Sequence, residues 1–371
     1  MVELQNGVNR RGFLAGAVGV GAGAVLTACT SNSTAQASTT SPSSTAAGAA
    51  SAPAPTGGSS APAATGGSGA PGKAVTIGFS APAADHGWTG AIAKNAIAEA
   101  AKYPDVKLES VQPTNDVTAQ IAAIRTLINK KVDVIVLLPN DGKQLTSVGL
   151  EAMAAGIPVV NLDRVFDTPR ASRIWIGGDN YGLGVSAGEY IGQTLKNKSV
   201  SNPVIGEIAG IDSLPLTQQR SQGFKDALQT FGFKVGPRQA AQFTVQSGQS
   251  VTTSMLQATS HFDAIWNHDD DQGIGVLAAI KQANRSEFFL VGGAGSANAM
   301  RLIKADNSVL KATVLYPPTM AASAITIARL IGQGKGMSDL VQQEVPASIT
   351  LYSATVTKAN VDQYLPQGFE S

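Results

Sequence analysis

A chain of 371 residues with 43% hydrophobic side chains is long enough for two domains of ordinary size, each with its own core. Its 27 basic and 26 acidic residues leave a formal charge of +1, with no sign of a nucleic-acid or acidic-substrate partner. The single cysteine, Cys29, excludes an intrachain disulfide framework and any multi-cysteine metal site.

The first predicted element is an export signal over residues 1–28. "NRRGFLAG" places paired arginines before the Gly/Ala-rich run "AGAVGVGAGAVL", in the manner of a twin-arginine signal. The run is shorter than the roughly 20 residues that a bilayer-spanning helix needs. It closes with "LTAC", which resembles a bacterial lipobox and implies cleavage before Cys29 and lipid attachment to its sulfur. Acyl chains contribute about 0.8 kcal/mol per buried methylene, ample for anchoring once several are attached. Residues 29–72 then form an uncharged Ser/Thr/Ala/Gly/Pro tether, interrupted only by Asn32 and Gln36 beyond the cysteine. It has no large side chains to bury, so it is expected to be disordered.

From Val75 short apolar runs alternate with segments of helical period, the pattern of parallel α/β architecture. "VTIGFSA", "VKLESV", "DVIVLL" and "IPVVNL" make one series of strands. "PVIGEIAG", "FKVGPRQAAQF", "FDAIWN", "FFLVGG" and "LKATVLY" make a second. Two series predict two similar three-layer lobes, and the continuous apolarity of the runs fits strands buried on both faces. The expected boundaries are 73–178 plus about 317–344 for the first lobe, and 179–316 plus about 345–371 for the second. Ligands of such sheets bind beyond the carboxyl ends of the strands. That rule selects "PAADHGW", "PNDG", "NLDR", "GIDSLPLTQQR", "NHDDDQ", "GGAGS" and "YPP" as candidate site segments.

These segments resemble the ribose-type periplasmic binding proteins, the sugar-binding subunits of ABC importers, over about Val75 to Leu351. The resemblance implies a type I periplasmic binding protein fold, two α/β lobes joined by a multi-strand hinge. It further implies that Asp163 and Arg164 of "AGIPVVNLDR", Arg220 of "QQRSQGFKDAL" and Asp269 of "FDAIWNHDDDQGIG" meet ligand hydroxyls. Trp88 and Phe243 fall where the family sets rings against the sugar's faces. Departures are also present: Ala294 stands where ribose binders carry an aspartate, Tyr316 at a glutamine position, and "DHGW" in the first loop.

Physical chemistry supports several of these roles. A carboxylate and a guanidinium side by side, as at Asp163 and Arg164, can accept from and donate to neighbouring hydroxyls through strong charge-assisted bonds. Trp88 offers an apolar platform and an indole N–H, and His86 one donor and one acceptor. Of the three consecutive carboxylates, Asp269 is expected to face the ligand, Asp270 to support it or reach the hinge, and Asp271 to cap the following helix. Consecutive residues cannot all point at one ion, so no metal is expected, and no catalytic motif or cofactor signature is present. The reading is a monomeric, lipid-anchored, extracytoplasmic binding protein that delivers a monosaccharide or sugar alcohol to an ABC permease. Its alternatives are a partner of a membrane receptor, a carbohydrate-active enzyme, or a two-lobed transcription regulator, whose DNA-reading module is replaced here by the signal and tether.

Overall fold

The computed structural model describes residues 71–337 and 344–371. The predicted signal, Cys29 and nearly all of the tether lie outside the described residues. Among the described residues, no helix is long and apolar enough to cross a membrane.

The first sheet is built from β1 (Val75–Ser80), β2 (Val106–Ser110), β3 (Val134–Leu137), β4 (Val159–Leu162) and β5 (Ile174–Gly178). Helices α1 (Gly87–Ala100), α2 (Val117–Asn129) and α3 (Gly142–Ala154) connect them as far as β4. The chain then crosses through α4 (Asn180–Asn197) to the second sheet. There β6 (Ile205–Ala209), α5 (Pro215–Thr230), β7 (Arg238–Ala240), α6 (Val245–Ala258), β8 (Ala264–Asn267), α7 (Asp270–Gln282), β9 (Phe289–Ala294), α8 (Ala297–Ala305) and β10 (Leu310–Leu315) follow. It returns with α9 (Met320–Gly332), which packs on α1 and the first sheet, and β11 (Ser348–Leu351). It ends with β12 (Thr355–Thr357) and α10 (Val361–Tyr364) on the second lobe.

Strand order is β11-β5-β4-β3-β1-β2 in the first sheet and β12-β10-β9-β8-β6-β7 in the second. All pairings are parallel except that of β12 with β10. Because β11 joins the first sheet, the last crossing falls between Leu351 and Thr355, later than the position near 345 read from the sequence. Only three residues of "FKVGPRQAAQF" are strand, since Gly236 and Pro237 interrupt the run.

Every residue of β3 and β4 is buried, as a sheet covered by helices on both faces requires. Helices α1 and α9 meet on one face and α2 and α3 on the other. In the second lobe α4 and α5 cover one face, α6 and α7 the other. Each fully buried Val, Leu or Ile contributes about 1.5–3 kcal/mol relative to an exposed one. Aspartates cap α2, α3 and α4 by accepting from backbone N–H groups of the first turn, which fixes where the loops before those helices end.

In each sheet the order reverses beside the first strand of its series: β1 lies between β2 and β3, and β6 between β7 and β8. Those reversals leave crevices at the carboxyl ends of the strands. The segments that follow β1, β4, β6, β7, β8 and β10, with the end of β9, supply the walls described next.

Candidate functional site

A cavity lies between the lobes. All eight residues singled out from the sequence line it: His86, Trp88, Asp163, Arg164, Arg220, Phe243, Asp269 and Tyr316. Leu216 and Ala294 complete the lining.

On the first-lobe side, Asp163 follows β4 with φ of 64°, a left-handed conformation that aspartate tolerates better than most residues. Its carboxylate accepts from the Tyr316 hydroxyl. Its carbonyl accepts from the Trp175 indole N–H at 2.8 Å. Arg164 donates from Nη1 to the carbonyls of Asn140 and Pro139, at 2.6 and 3.3 Å, so its guanidinium is braced against the loop after β3. Its Nε is buried without a hydrogen-bond partner.

Trp88 is buried in the first turn of α1. The sequence reading leaves its indole N–H available to a ligand, and the structure corrects this. Nε1 donates to the Tyr316 carbonyl at 2.9 Å, and the Trp88 backbone N–H donates to Asp271 Oδ2 at 2.9 Å. The ring itself stands 5.8 Å from the Tyr316 ring, centroid to centroid. His86 is the N-cap residue of α1, with Nδ1 2.5 Å from Asp85 Oδ1. Burial alone would lower its pKa, but the Asp85 bond and the charges of Asp269 and Asp271 outweigh it, and the net shift is upward.

On the second-lobe side, Arg220 does not sit on a solvated helix face but is buried beneath the cavity. Its Nε donates to Asn180 Oδ1 at 2.9 Å and its Nη1 to the His268 carbonyl at 3.1 Å. Its guanidinium lies 4.6 Å from the centre of the Tyr316 ring and 5.8 Å from that of Phe243. Asn180 passes the network on by donating Nδ2 to the Tyr316 hydroxyl at 3.1 Å. The side chain of Asn180 was missed from the sequence, where it reads as part of the crossover rather than of a site.

The aromatic rings rest on glycines. A Cβ at Gly178 would fall 2.1 Å from the Tyr316 ring, and one at Gly210 would fall 1.9 Å from that of Phe243. Any side chain at either position would expel the ring. Phe243 is itself held at φ of 61° by its backbone N–H, which donates to Gln272 Oε1 at 3.0 Å.

The three carboxylates divide differently from the sequence reading. Asp269, not Asp271, caps α7: its Oδ1 accepts from the backbone N–H groups of Asp271 and Gln272 at 2.9 and 3.0 Å. It also lines the cavity, where burial and then the Asp271 charge push its carboxyl up to about 6. Asp270 is directed away, into the turn after β9. There it accepts from the N–H groups of Gly293, Gly295 and Ser296 and from the Thr313 hydroxyl at 2.8–3.0 Å. Burial pushes this carboxyl up to about 8 while those donors pull it down. The turn it holds presents Ala294 to the cavity at φ of 81°. Asp271 takes the bond from Trp88 and thereby ties the lobes together.

Donor atoms of His86, Asp269 and Asp271 lie within 4.8 Å of one another, close enough to approach one cation. One oxygen of each carboxylate is already engaged by backbone N–H groups. The cavity therefore offers donors, acceptors and ring faces to a small polar molecule held between two lobes.

That arrangement defines a two-lobed binding protein with its cavity between the lobes. The chain belongs to the periplasmic binding protein domain family, which residues 77–336 match. It is similar to the D-ribose/D-allose-binding protein of Pseudomonas aeruginosa, 29% identical over 223 residues that cover 59% of this chain and 69% of the relative. The ribose import binding protein of Bacillus subtilis is 26% identical over 254 residues, covering 68% and 80%. Among solved structures, an ABC transporter solute-binding protein from Mycobacterium smegmatis with bound glycerol superposes with a TM-score of 0.71 at 25% identity. The match covers 80% of this chain and 99% of that one. The family is one of extracytoplasmic binding proteins rather than enzymes.

Proposed function

We propose that this protein is the solute-binding component of an ABC importer and captures a monosaccharide or sugar alcohol between its lobes. The observation that carries this reading is the convergence of eight polar and aromatic side chains from both lobes on one interlobe cavity. Two guanidiniums and two carboxylates provide the charge-assisted bonds that neighbouring hydroxyls use, and the rings of Trp88, Phe243 and Tyr316 suit C–H faces. A ligand that touches both lobes favours the closed arrangement through its differential affinity for it, and the permease reads that closure.

In this reading the protein is exported by the signal at residues 1–28 and tethered to the membrane by lipid on Cys29, acting as a monomer. The names of its relatives, two of which bind or import ribose, support the sugar class; Ala294 and Tyr316 set this cavity apart from a ribose site. Calorimetry against pentoses, hexoses, pentitols and tetritols tests the proposal, with mass spectrometry of co-purified ligand to narrow the choice. Failure to bind any hydroxylated small molecule would overturn it. Cys29→Ala is expected to release the protein from the membrane fraction, and retention there would refute the anchor.

A further inference from the structure

Strand β6 is buried along its whole length, and its sequence "IGEIA" sets a carboxylate, Glu207, in the middle of it. A buried charge is costly and persists where it is paired and hydrogen-bonded. Glu207 does not line the cavity. We propose that Glu207 is a positioning residue for Arg220: it anchors both the helix that carries the arginine and the residue whose carbonyl receives its guanidinium. This inference rests on Arg220 meeting the ligand, as in the proposed function.

Three groups converge on one oxygen of Glu207. Ser221 Oγ donates to Oε1 at 2.5 Å, His268 Nε2 stands at 3.0 Å and Arg238 Nε at 3.3 Å. Ser221 follows Arg220 directly on α5, so its bond pins the turn from which the arginine extends. His268 supplies the backbone carbonyl that accepts from Arg220 Nη1 at 3.1 Å. The bond to Glu207 is the only one that holds the His268 ring, because Nδ1 is buried without a partner.

The protonation states fit this arrangement. Burial pushes the His268 imidazole down towards its neutral form. Facing a carboxylate that only accepts, the neutral ring carries its proton on Nε2. Burial raises the Glu207 carboxyl, but the His268 and Ser221 bonds and the Arg238 charge outweigh it, and the net shift is downward.

The anchor extends further through Arg238 on β7. Its Nη1 donates to Asp212 Oδ2 at 3.0 Å and its Nη2 to Asp212 Oδ1 at 2.5 Å. Asp212 belongs to the loop between β6 and α5 that leads into Leu216, a lining residue of the cavity. Arg220 itself is bonded only to an amide and a carbonyl, which orient it no better than they are held themselves. A guanidinium fixed before the ligand arrives has less freedom to lose on binding.

The test is a double-mutant cycle, read by calorimetry with the tightest-binding member of the panel of pentoses, hexoses, pentitols and tetritols. Glu207→Ala should bind it about ten-fold more weakly, and Ser221→Ala about three-fold. Glu207→Gln keeps an oxygen for Ser221 and His268 and should stay within about three-fold of the parent protein. In an Arg220→Ala background each loss should vanish, because the residue through which it acts is gone. A carboxylate that only stabilises the lobe would cost the same in both backgrounds, and that result overturns the proposal, as does unchanged affinity in Glu207→Ala. If Glu207→Ala does not fold, Ser221→Ala runs the same cycle, and the same two results decide. A second readout needs no ligand: the side-chain Nε–H resonance of Arg220 in protein made with isotope-labelled arginine, assigned by its loss in Arg220→Lys. It should shift and exchange faster with solvent in Ser221→Ala. If no member of the panel binds, the sugar reading falls and this resonance decides alone, an unchanged signal overturning the positioning role.

Discussion

Two buried arginines show how the same side chain serves structure in one place and recognition in another. Arg329 on α9 and Arg220 on α5 are 0% and 4% exposed, so neither leaves its charge in water. Arg329 meets a carboxylate: Nε and Nη2 donate to Asp105 at 2.8 and 2.7 Å, with the guanidinium 4.4 Å from the Tyr103 ring centre. The Arg329 bonds hold the Asp105 carboxyl far below the ordinary carboxylate range. Arg220 has neutral acceptors instead, an amide and a carbonyl, and its charge is left facing the cavity. A fully paired charge locks one element to another. A charge held only by neutral groups retains an attraction for whatever enters.

The contrast can be broken most forcefully at Arg329. Arg329→Ala leaves Asp105 without its counter-charge, held only by the Gly72 N–H and the Gln333 amide, and urea unfolding should show a loss of about 3 kcal/mol. Its ligand affinity, measured where the variant is still folded, should be unchanged. Arg220→Ala should invert that pattern, weakening binding by about 30- to 100-fold by calorimetry, with a smaller change in unfolding free energy. Arg220→Lys should recover little, since an ammonium cannot reach the Asn180 amide and the His268 carbonyl from the same fixed plane. Equal effects of the two alanine variants on stability and affinity would erase the distinction.

Acidity sharpens the comparison further. Asp269 has its folded pKa raised from 3.8 to about 6, so the native state holds a proton that the unfolded chain has released. Stability should therefore rise as pH falls from about 6 to about 4.5, and the rise should be smaller in Asp269→Asn, with the remainder carried by Asp270. His86, raised from 6.5, contributes stability that is present below that value and lost as pH climbs through its folded pKa. Urea midpoints across pH 4.5–8 for the two single variants separate the two contributions. The smallest effect is expected at Tyr316→Phe, which removes one donor to Asp163 and one acceptor from Asn180. It should cost about ten-fold in affinity, with the Asp163→Asn, Tyr316→Phe pair losing less than the sum of its parts.

Much of this was legible before any coordinates, because a parallel α/β pattern predicts where its loops gather. "DHGW", "NLDR" and "NHDDDQ" are far apart in sequence, yet the rule of strand carboxyl ends brings them to one crevice. What the letters do not carry is how each group's bonding capacity is divided. Trp88 gives its indole N–H to a carbonyl 228 residues away, a bond that no local pattern announces. In "DDD" any of the three carboxylates satisfies the composition of a cap; only the backbone turn before α7 selects Asp269. Asn180 resembles any polar residue near a helix start until Arg220 and Tyr316 arrive from other elements. The return of β11 to the first sheet depends on pairing with β5, a register set by tertiary contact rather than by its own four residues.

Asp163, Phe243 and Ala294 all carry positive φ, and all three line the cavity. Backbone held there costs about 1–3 kcal/mol per residue, most for bulky side chains. Drift in ligand preference is thereby channelled. β-branched replacements are effectively closed at those three positions, whereas His86, in extended backbone, and Leu216, within α5, can vary without that penalty. A library meant to give this cavity a different taste should be diversified at the latter two, with the three pinned residues kept as its fixed frame.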